Sequence, residues 1–215
     1  STLSGPRNVL VRGSQIERIS TGPIPIDRSA TTVLIDGGGR TLMPGLIDMH
    51  WHTMLVRPTL ATLLTGDFGH LNLVAGAEAT ATLMRGFTTV RDMGGPAFGL
   101  KRAIDEGIVP GPRIYPSGAI ITITSGHGDF RQPFELPRLL GNVQSRGEQT
   151  GAAMIADSPD EVRVRVREQL HLEVAAETLG ELLGGHRQGL LALPVGEQVG
   201  AAQRAHPGEP RKGQL

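Results

Sequence analysis

The sequence predicts an α/β fold: a β-rich N-terminal segment followed by about three of the βα units that make a (β/α)8 TIM-type barrel. Three observations carry this expectation. Short β-branched runs separated by Gly-rich turns occupy residues 1–44. From residue 45, strand-like and helix-like stretches alternate, which implies a parallel sheet with crossover helices. At the junction lies Leu42–His52, L-M-P-G-L-I-D-M-H-W-H, where a Pro-Gly turn feeds an apolar strand with a polar tip.

Each element has a local reason. Asn8–Arg12 and Gln15–Ile19 read as a hairpin, because Gly13-Ser14 supplies the positive-φ turn between two apolar runs. Residues 20–30 are Pro-rich and polar, hence loop, and Thr31–Ile35 reads as a third strand stopped by Asp36-Gly37-Gly38-Gly39. Leu46–Trp51 is the first barrel strand, and residues 53–70 form a long excursion. Asn72–Arg85, rich in Ala and Leu and free of Pro, predicts a helix ended by Gly86. Phe87–Arg91 is a strand, Ala97–Glu106 a helix and Arg113–Ser117 a third barrel strand. Gly118–Asp129 reads as an extended loop, and residues 130–157 as mixed loop.

Ser158-Pro159-Asp160-Glu161 is a helix start: Ser caps, Pro occupies the first turn, and Glu closes a capping box. Val162, Val166 and Leu170 recur behind it at helical spacing. Arg163, Arg165 and Arg167 read as a solvated face, with an anion site as the alternative.

Composition bounds the function. The chain has 215 residues, with 39% hydrophobic and 3% aromatic, enough for an aliphatic core. Its 21 basic and 21 acidic residues balance, which favours neither nucleic acid nor an anionic membrane. Without cysteine there is neither a disulfide framework nor a thiolate metal site. No apolar run reaches the roughly 20 residues of a membrane span. The N-terminus lacks the basic-then-apolar order of a signal peptide, so a cytoplasmic location is expected.

Side chains alternate along a strand, so Asp48, His50 and His52 are expected on one face. Two imidazoles spaced this way reach one divalent ion, and neutral His nitrogen suits zinc. By itself the pattern fits two hydrogen-bonded histidines at a strand end better than a metal site. Asp92 and Asp129 read as structural carboxylates bonding loop amides, Asp48 as a strand-end acceptor and His70 as a surface residue. In a β/α barrel, chemistry sits at the C-terminal ends of the strands. His50, His52, Asp92 and His127 all fall at or just past such ends.

The segment P-G-L-I-D-M-H-W-H resembles the first barrel strand of the amidohydrolase superfamily. The resemblance continues through G-F-T-T-V-R-D-M-G-G (Gly86–Gly95), G-P-R-I-Y-P-S-G (Gly111–Gly118) and T-S-G-H-G-D (Thr124–Asp129), over roughly residues 1–170. Together these are similar to the imidazolonepropionase-related and Xaa-Pro dipeptidase-like branch. The resemblance implies a metal-dependent hydrolase of amide, cyclic amide or Xaa-Pro dipeptide C–N bonds, acting on a small-molecule substrate. It implies His50 and His52 as metal ligands, with zinc or another divalent ion, two in a complete relative. It also implies His127 as a loop histidine that polarises the substrate carbonyl, against the alternative that it bonds its own turn.

After Leu170 the resemblance stops. Residues 171–215 contain no Ile, Asp, Asn, Ser, Met or aromatic residue and read as an atypical tail, partly helical over Leu172–Leu183 and otherwise disordered. The resemblance implies that residues 1–44 are part of a small β-sandwich ahead of the barrel, so the expected organisation is 1–44 partial β-sandwich segment, 45–170 N-terminal part of the barrel and 171–215 tail. The family's bridging lysine has no match, since the lysines are Lys101 on a helix and Lys212 in the tail. Its later histidines and catalytic aspartate have none either: His171, His186 and His206 follow no convincing strand, and the last aspartate is Asp160. A closed barrel takes about 250 residues. The expectation is thus a copy truncated after Leu170, with weak or absent metal binding and no catalytic residue assigned. Self-association through open sheet edges is expected. An inactive fragment or a ligand-binding remnant are the alternatives to an active hydrolase.

Overall fold

A computed structural model of the chain describes residues 4–27, 31–137, 140–141 and 143–182. The tail from residue 183 on, with His186, His206 and Lys212, lies outside these residues. The chain divides into two compact units, one holding Ser1–Met43 and the other Pro44–Arg187. Among the described residues, no helix is long and apolar enough to cross a membrane.

The first unit carries an antiparallel hairpin, β1 (Asn8–Arg12) and β2 (Gln15–Ser20). Gly13 sits at φ 58°, the left-handed geometry the turn requires. Arg12 and Glu17 pair across the hairpin end. Thr31–Ile35, expected as a strand, forms none. Val33, Leu34 and Ile35 are exposed, with no ladder to join among the described residues. A β-branched run reports fitness for a half-buried pleated surface, and here that surface is missing.

The second unit is α/β, in the order β3 (Leu46–Trp51), α1 (Leu60–Thr65), α2 (Phe68–Met84), β4 (Phe87–Asp92), α3 (Phe98–Asp105), β5 (Arg113–Pro116), β6 (Ile120–Thr122), α4 (Arg146–Gln149), β7 (Ala153–Ile155) and α5 (Pro159–Leu182). Strands β3, β4 and β5 form one parallel sheet in that order. This is the expected arc of three barrel strands. Helices α2 and α3 cover one face of the sheet. Ala75, Ala79, Leu100 and Ile104 pack there against Val90 and Ile114, with Trp51 and Phe87 at the margin. The other face carries exposed Arg91, Arg113 and Tyr115, and the flanking strand β3 exposes Ile47 and Met49.

Three expectations for the second unit need correction. First, α2 starts at Phe68, ahead of Asn72, because Asp67 accepts the His70 N–H at 2.9 Å and caps the helix earlier. A further short helix, α1, is capped by Thr59, whose hydroxyl accepts the Thr62 N–H. Second, the stretch read as loop over residues 118–157 contains a second parallel pair, β6 and β7, joined through α4. Its strands are only three residues each, too short for a visible alternation. Ser145 and Glu148 form the capping box that starts α4.

Third, α5 turns its polar side inward. Its start is as expected, with Ser158 Oγ accepting the Glu161 N–H at 3.3 Å. Val162, Val166 and Leu170, however, are 39%, 42% and 55% exposed, whereas Arg165 and Gln169 are buried at 6% and 8%. Arg165 therefore does not belong to the solvated face, although Arg163 and Arg167 do. The reason is specific pairing. Arg165 lies 3.6 Å from the buried Glu148 and bonds Glu168 at 2.9 Å, while Gln169 Oε1 accepts the Ala119 N–H at 2.7 Å. Residues four apart share a helix face, so 165 and 169 face inward together and the apolar stripe is rotated by about 100°.

Candidate active site

Because β3, β4 and β5 run parallel, their C-terminal ends line one edge. His50 is the penultimate residue of β3 and His52 follows its last residue. The two rings meet edge to face, with centroids 5.2 Å apart. His50 is exposed and His52 half-buried. Between Asp48 and Trp51 the register slips: three steps on β3 match two on β4. Simple alternation therefore does not carry from Asp48 to the histidines. The Asp48 carboxylate instead accepts the His50 backbone N–H at 3.0 Å, fixing the main chain under that ring.

His52 Nδ1 lies 3.1 Å from the Gly94 carbonyl oxygen. A carbonyl only accepts, so Nδ1 carries a proton, and in the neutral ring this is the tautomer whose Nε2 presents its lone pair. This is the arrangement by which an outer hydrogen bond sets the tautomer of a metal-binding imidazole. Gly94 can supply its oxygen because the turn there is tight. A Cβ on Gly94 would stand 2.2 Å from Ile120 Cγ1, and Gly95 adopts φ 124° while its N–H bonds Gly118 O at 3.0 Å.

Asp92, at the tip of β4, is fully buried. Its carboxylate accepts the Thr53 N–H at 2.7 Å, the Thr53 hydroxyl, and the Gly94 N–H at 3.1 Å. Burial pushes its pKa above the usual carboxylate value, against the opposing pull of these donors. One side chain thus joins the loop after His52 to the turn that orients it, in keeping with the structural role expected of Asp92.

His127 is exposed on the turn after β6. That turn is held by two carboxylates. Asp129 accepts the Ser125 N–H at 2.7 Å and pairs with Arg131, which lowers its pKa. Asp157 accepts the Thr124 N–H and hydroxyl at 2.7 and 2.6 Å, and these bonds hold its pKa down. Ser125 takes φ 61°, a left-handed turn position that Asp129 stabilises.

The structure brings His50 and His52 together. Among the described residues, no group of three or more His, Asp or Glu gathers at metal-binding distance, so His127 and Asp92 do not join the pair in such a cluster. His70 is exposed in the first turn of α2, and His171 is exposed on α5. Sequence reasoning missed Thr53 and the Gly94 carbonyl. The signal for the second was the Gly94-Gly95 pair behind a strand-end aspartate, a mark of close backbone approach.

The comparisons with known proteins agree with this architecture. The profile of the Amidohydrolase family matches residues 41–187. Ochratoxinase from Aspergillus niger is 32% identical over 150 residues, covering 60% of this chain and 28% of that protein. The crystal structure of a prolidase complexed with N-methylphosphonate-L-proline superposes with a TM-score of 0.64 at 32% identity, over 77% of this chain and 39% of the other. A Xaa-Pro dipeptidase with bound methionine gives a TM-score of 0.58 at 27% identity, over 76% and 39%. The chain therefore spans well under half the length of these relatives. On the family match and the parallel β/α sheet with its strand-end histidines, the chain belongs to the amidohydrolase family.

Proposed function

We propose that His50 and His52 are two of the ligands of a divalent metal, zinc foremost, in a hydrolase of amide C–N bonds. The observation that carries this is the ring pair at 5.2 Å with His52 held as the tautomer that frees Nε2. The chemistry such an ion supplies when bound is Lewis acidity toward the amide carbonyl and a lowered pKa for a coordinated water. The chain's own residues prepare that site. Asp48 fixes the backbone of His50, Gly94 O orients His52, and Asp92 secures both the Thr53 loop and the Gly94 turn. His127, exposed on a turn braced by Asp129 and Asp157, is proposed to donate to the substrate carbonyl. The substrate class is an amide, cyclic amide or Xaa-Pro dipeptide, in line with the prolidase and ochratoxinase likenesses.

Zinc sites normally use three or four protein ligands. With two among the described residues, this chain is expected to bind zinc weakly. Calorimetric titration with zinc tests the reading. Weak saturable binding, abolished by His50→Ala and by His52→Ala but retained in His70→Ala, supports it. Binding unchanged by both substitutions, or none in the unaltered chain, overturns it.

A further inference from the structure

Among the described residues the His127 ring makes no hydrogen bond or ion pair of its own. Its direction is therefore set by the main chain beneath it, and whatever holds that main chain aims the ring. Two kinds of contact hold it. The first kind is local. Asp129 accepts the Ser125 N–H at 2.7 Å, the Gly126 N–H donates to Ile123 O at 2.9 Å, and the Asp129 N–H donates to Gly126 O at 3.0 Å. The turn also lies close on β6: a Cβ on Gly126 would stand 2.3 Å from Thr122 Oγ1, and one on Gly128 2.7 Å from Ile120 Cγ2. These contacts shape the turn, but all of them join it to its own strand or to itself.

The second kind is long-range. Thr124, at the neck of the turn just past β6, donates both its N–H and its hydroxyl to the Asp157 carboxylate, at 2.7 and 2.6 Å. Asp157 stands 33 positions further along, between β7 and α5. A carboxylate has two acceptor oxygens for these two donors, and ionised acceptors make the stronger bonds. Asp157 is in turn held by the helix that follows. Its N–H donates to the Glu161 carboxylate at 2.8 Å, and the Glu161 N–H is capped by Ser158 at the start of α5.

We infer that Asp157 is a positioning residue: acting through Thr124, it fixes the turn that presents His127 and ties the aim of that ring to the first turn of α5. The inference rests on the reading of His127 as a donor to the substrate carbonyl and names what controls the donor's direction.

The test uses the full chain, with amide-nitrogen relaxation NMR as the main readout. It needs no ligand, so it stands apart from the hydrolase reading. The His127 amide is expected at the rigid-backbone order parameter of about 0.85 and falls below about 0.6 in Asp157→Ala. Val90 and Ile114, in the β3–β4–β5 sheet, keep their values, which separates lost positioning from a general loosening of the fold. Asp157→Asn restores His127, because the Asn carbonyl accepts the Thr124 N–H and its amide donates to the Thr124 oxygen. Thr124→Val removes only the hydroxyl bond and gives an intermediate value, covering the case in which Asp157→Ala fails to fold. An order parameter at His127 that is low in the unaltered chain, unchanged in the folded variants, or not rescued by Asp157→Asn overturns the inference. Titration with glycyl-L-proline, followed on the His127 ring resonance, then tests the reading beneath it. A shift that is lost in Asp157→Ala and regained in Asp157→Asn supports both. No shift in the unaltered chain, with the order parameters responding as expected, leaves the positioning by Asp157 standing and removes only the donor role of His127.

Discussion

Replacing Asp92 with Ala tests the central joint of the site. The substitution removes three hydrogen bonds at once and leaves the Thr53 N–H, the Thr53 hydroxyl and the Gly94 N–H in a buried site without their acceptor. Hydrogen bonds to a charged acceptor contribute about 1.5–3 kcal/mol each, and neighbouring losses do not add fully. A total near 4 kcal/mol is expected, a large part of the roughly 5–15 kcal/mol that holds a domain folded. In urea unfolding followed by circular dichroism, this appears as a lower midpoint with an unchanged slope. Asp92→Asn keeps the shape but points an amide donor at donors, and should cost about 1–3 kcal/mol. The pH dependence supplies a second reading. Because the folded pKa of Asp92 is raised, the folded chain keeps its proton where the unfolded chain has lost it. Stability should therefore fall as pH rises from the ordinary value of 3.8 through the raised one, and Asp92→Asn should flatten that segment. A loss below about 0.5 kcal/mol in Asp92→Ala, the usual scatter for surface changes, refutes the reasoning.

The remaining expectations concern the neighbouring elements. Asp129 has a lowered pKa through Arg131, so it stabilises the fold above the ordinary carboxylate range and that contribution is lost as pH falls through the depressed value. Arg131→Met should bring the Asp129 pKa back toward its usual range in a carboxylate NMR titration. Arg165→Met removes the guanidinium that pairs with the buried Glu148 carboxylate and should cost about 3–5 kcal/mol, with much of it recovered when Glu148→Gln is added. A double-mutant cycle by urea unfolding measures the coupling. Gly118→Ala places a Cβ 2.2 Å from Gln169 Oε1 at φ 80°, so it should break the Ala119–Gln169 bond and cost about 2–4 kcal/mol in the same assay.

How much of this was legible in the sequence depended on how local the cause was. Leu46–Trp51, Phe87–Asp92 and Phe98–Asp105 were readable because turn residues and periodicity mark their ends within a few positions. The His50–His52 pair was readable for the same reason. Strands β6 and β7 were not, because their pairing joins residues more than thirty positions apart and each strand is three residues long. The inward turn of Arg165 was hidden because its partner Glu148 lies on another helix, and a periodic valine stripe beside it reads as core. The apolar stripe of Val33–Ile35 misled in the opposite sense: propensity was present and, among the described residues, a neighbouring strand was not.

One detail of the site bears on how it tolerates sequence change. The group that holds the His52 ring is a peptide oxygen, not a side chain. Swapping residue types around it therefore cannot delete the partner outright, because every amino acid brings the same carbonyl. What such changes can do is move it, by inserting a residue into the turn or by giving Gly94 or Gly95 a side chain for which the fold has no room. The imidazole's protonation pattern is inherited from the path of the main chain, and drift in the composition of the surrounding loops leaves it in place so long as their lengths are kept.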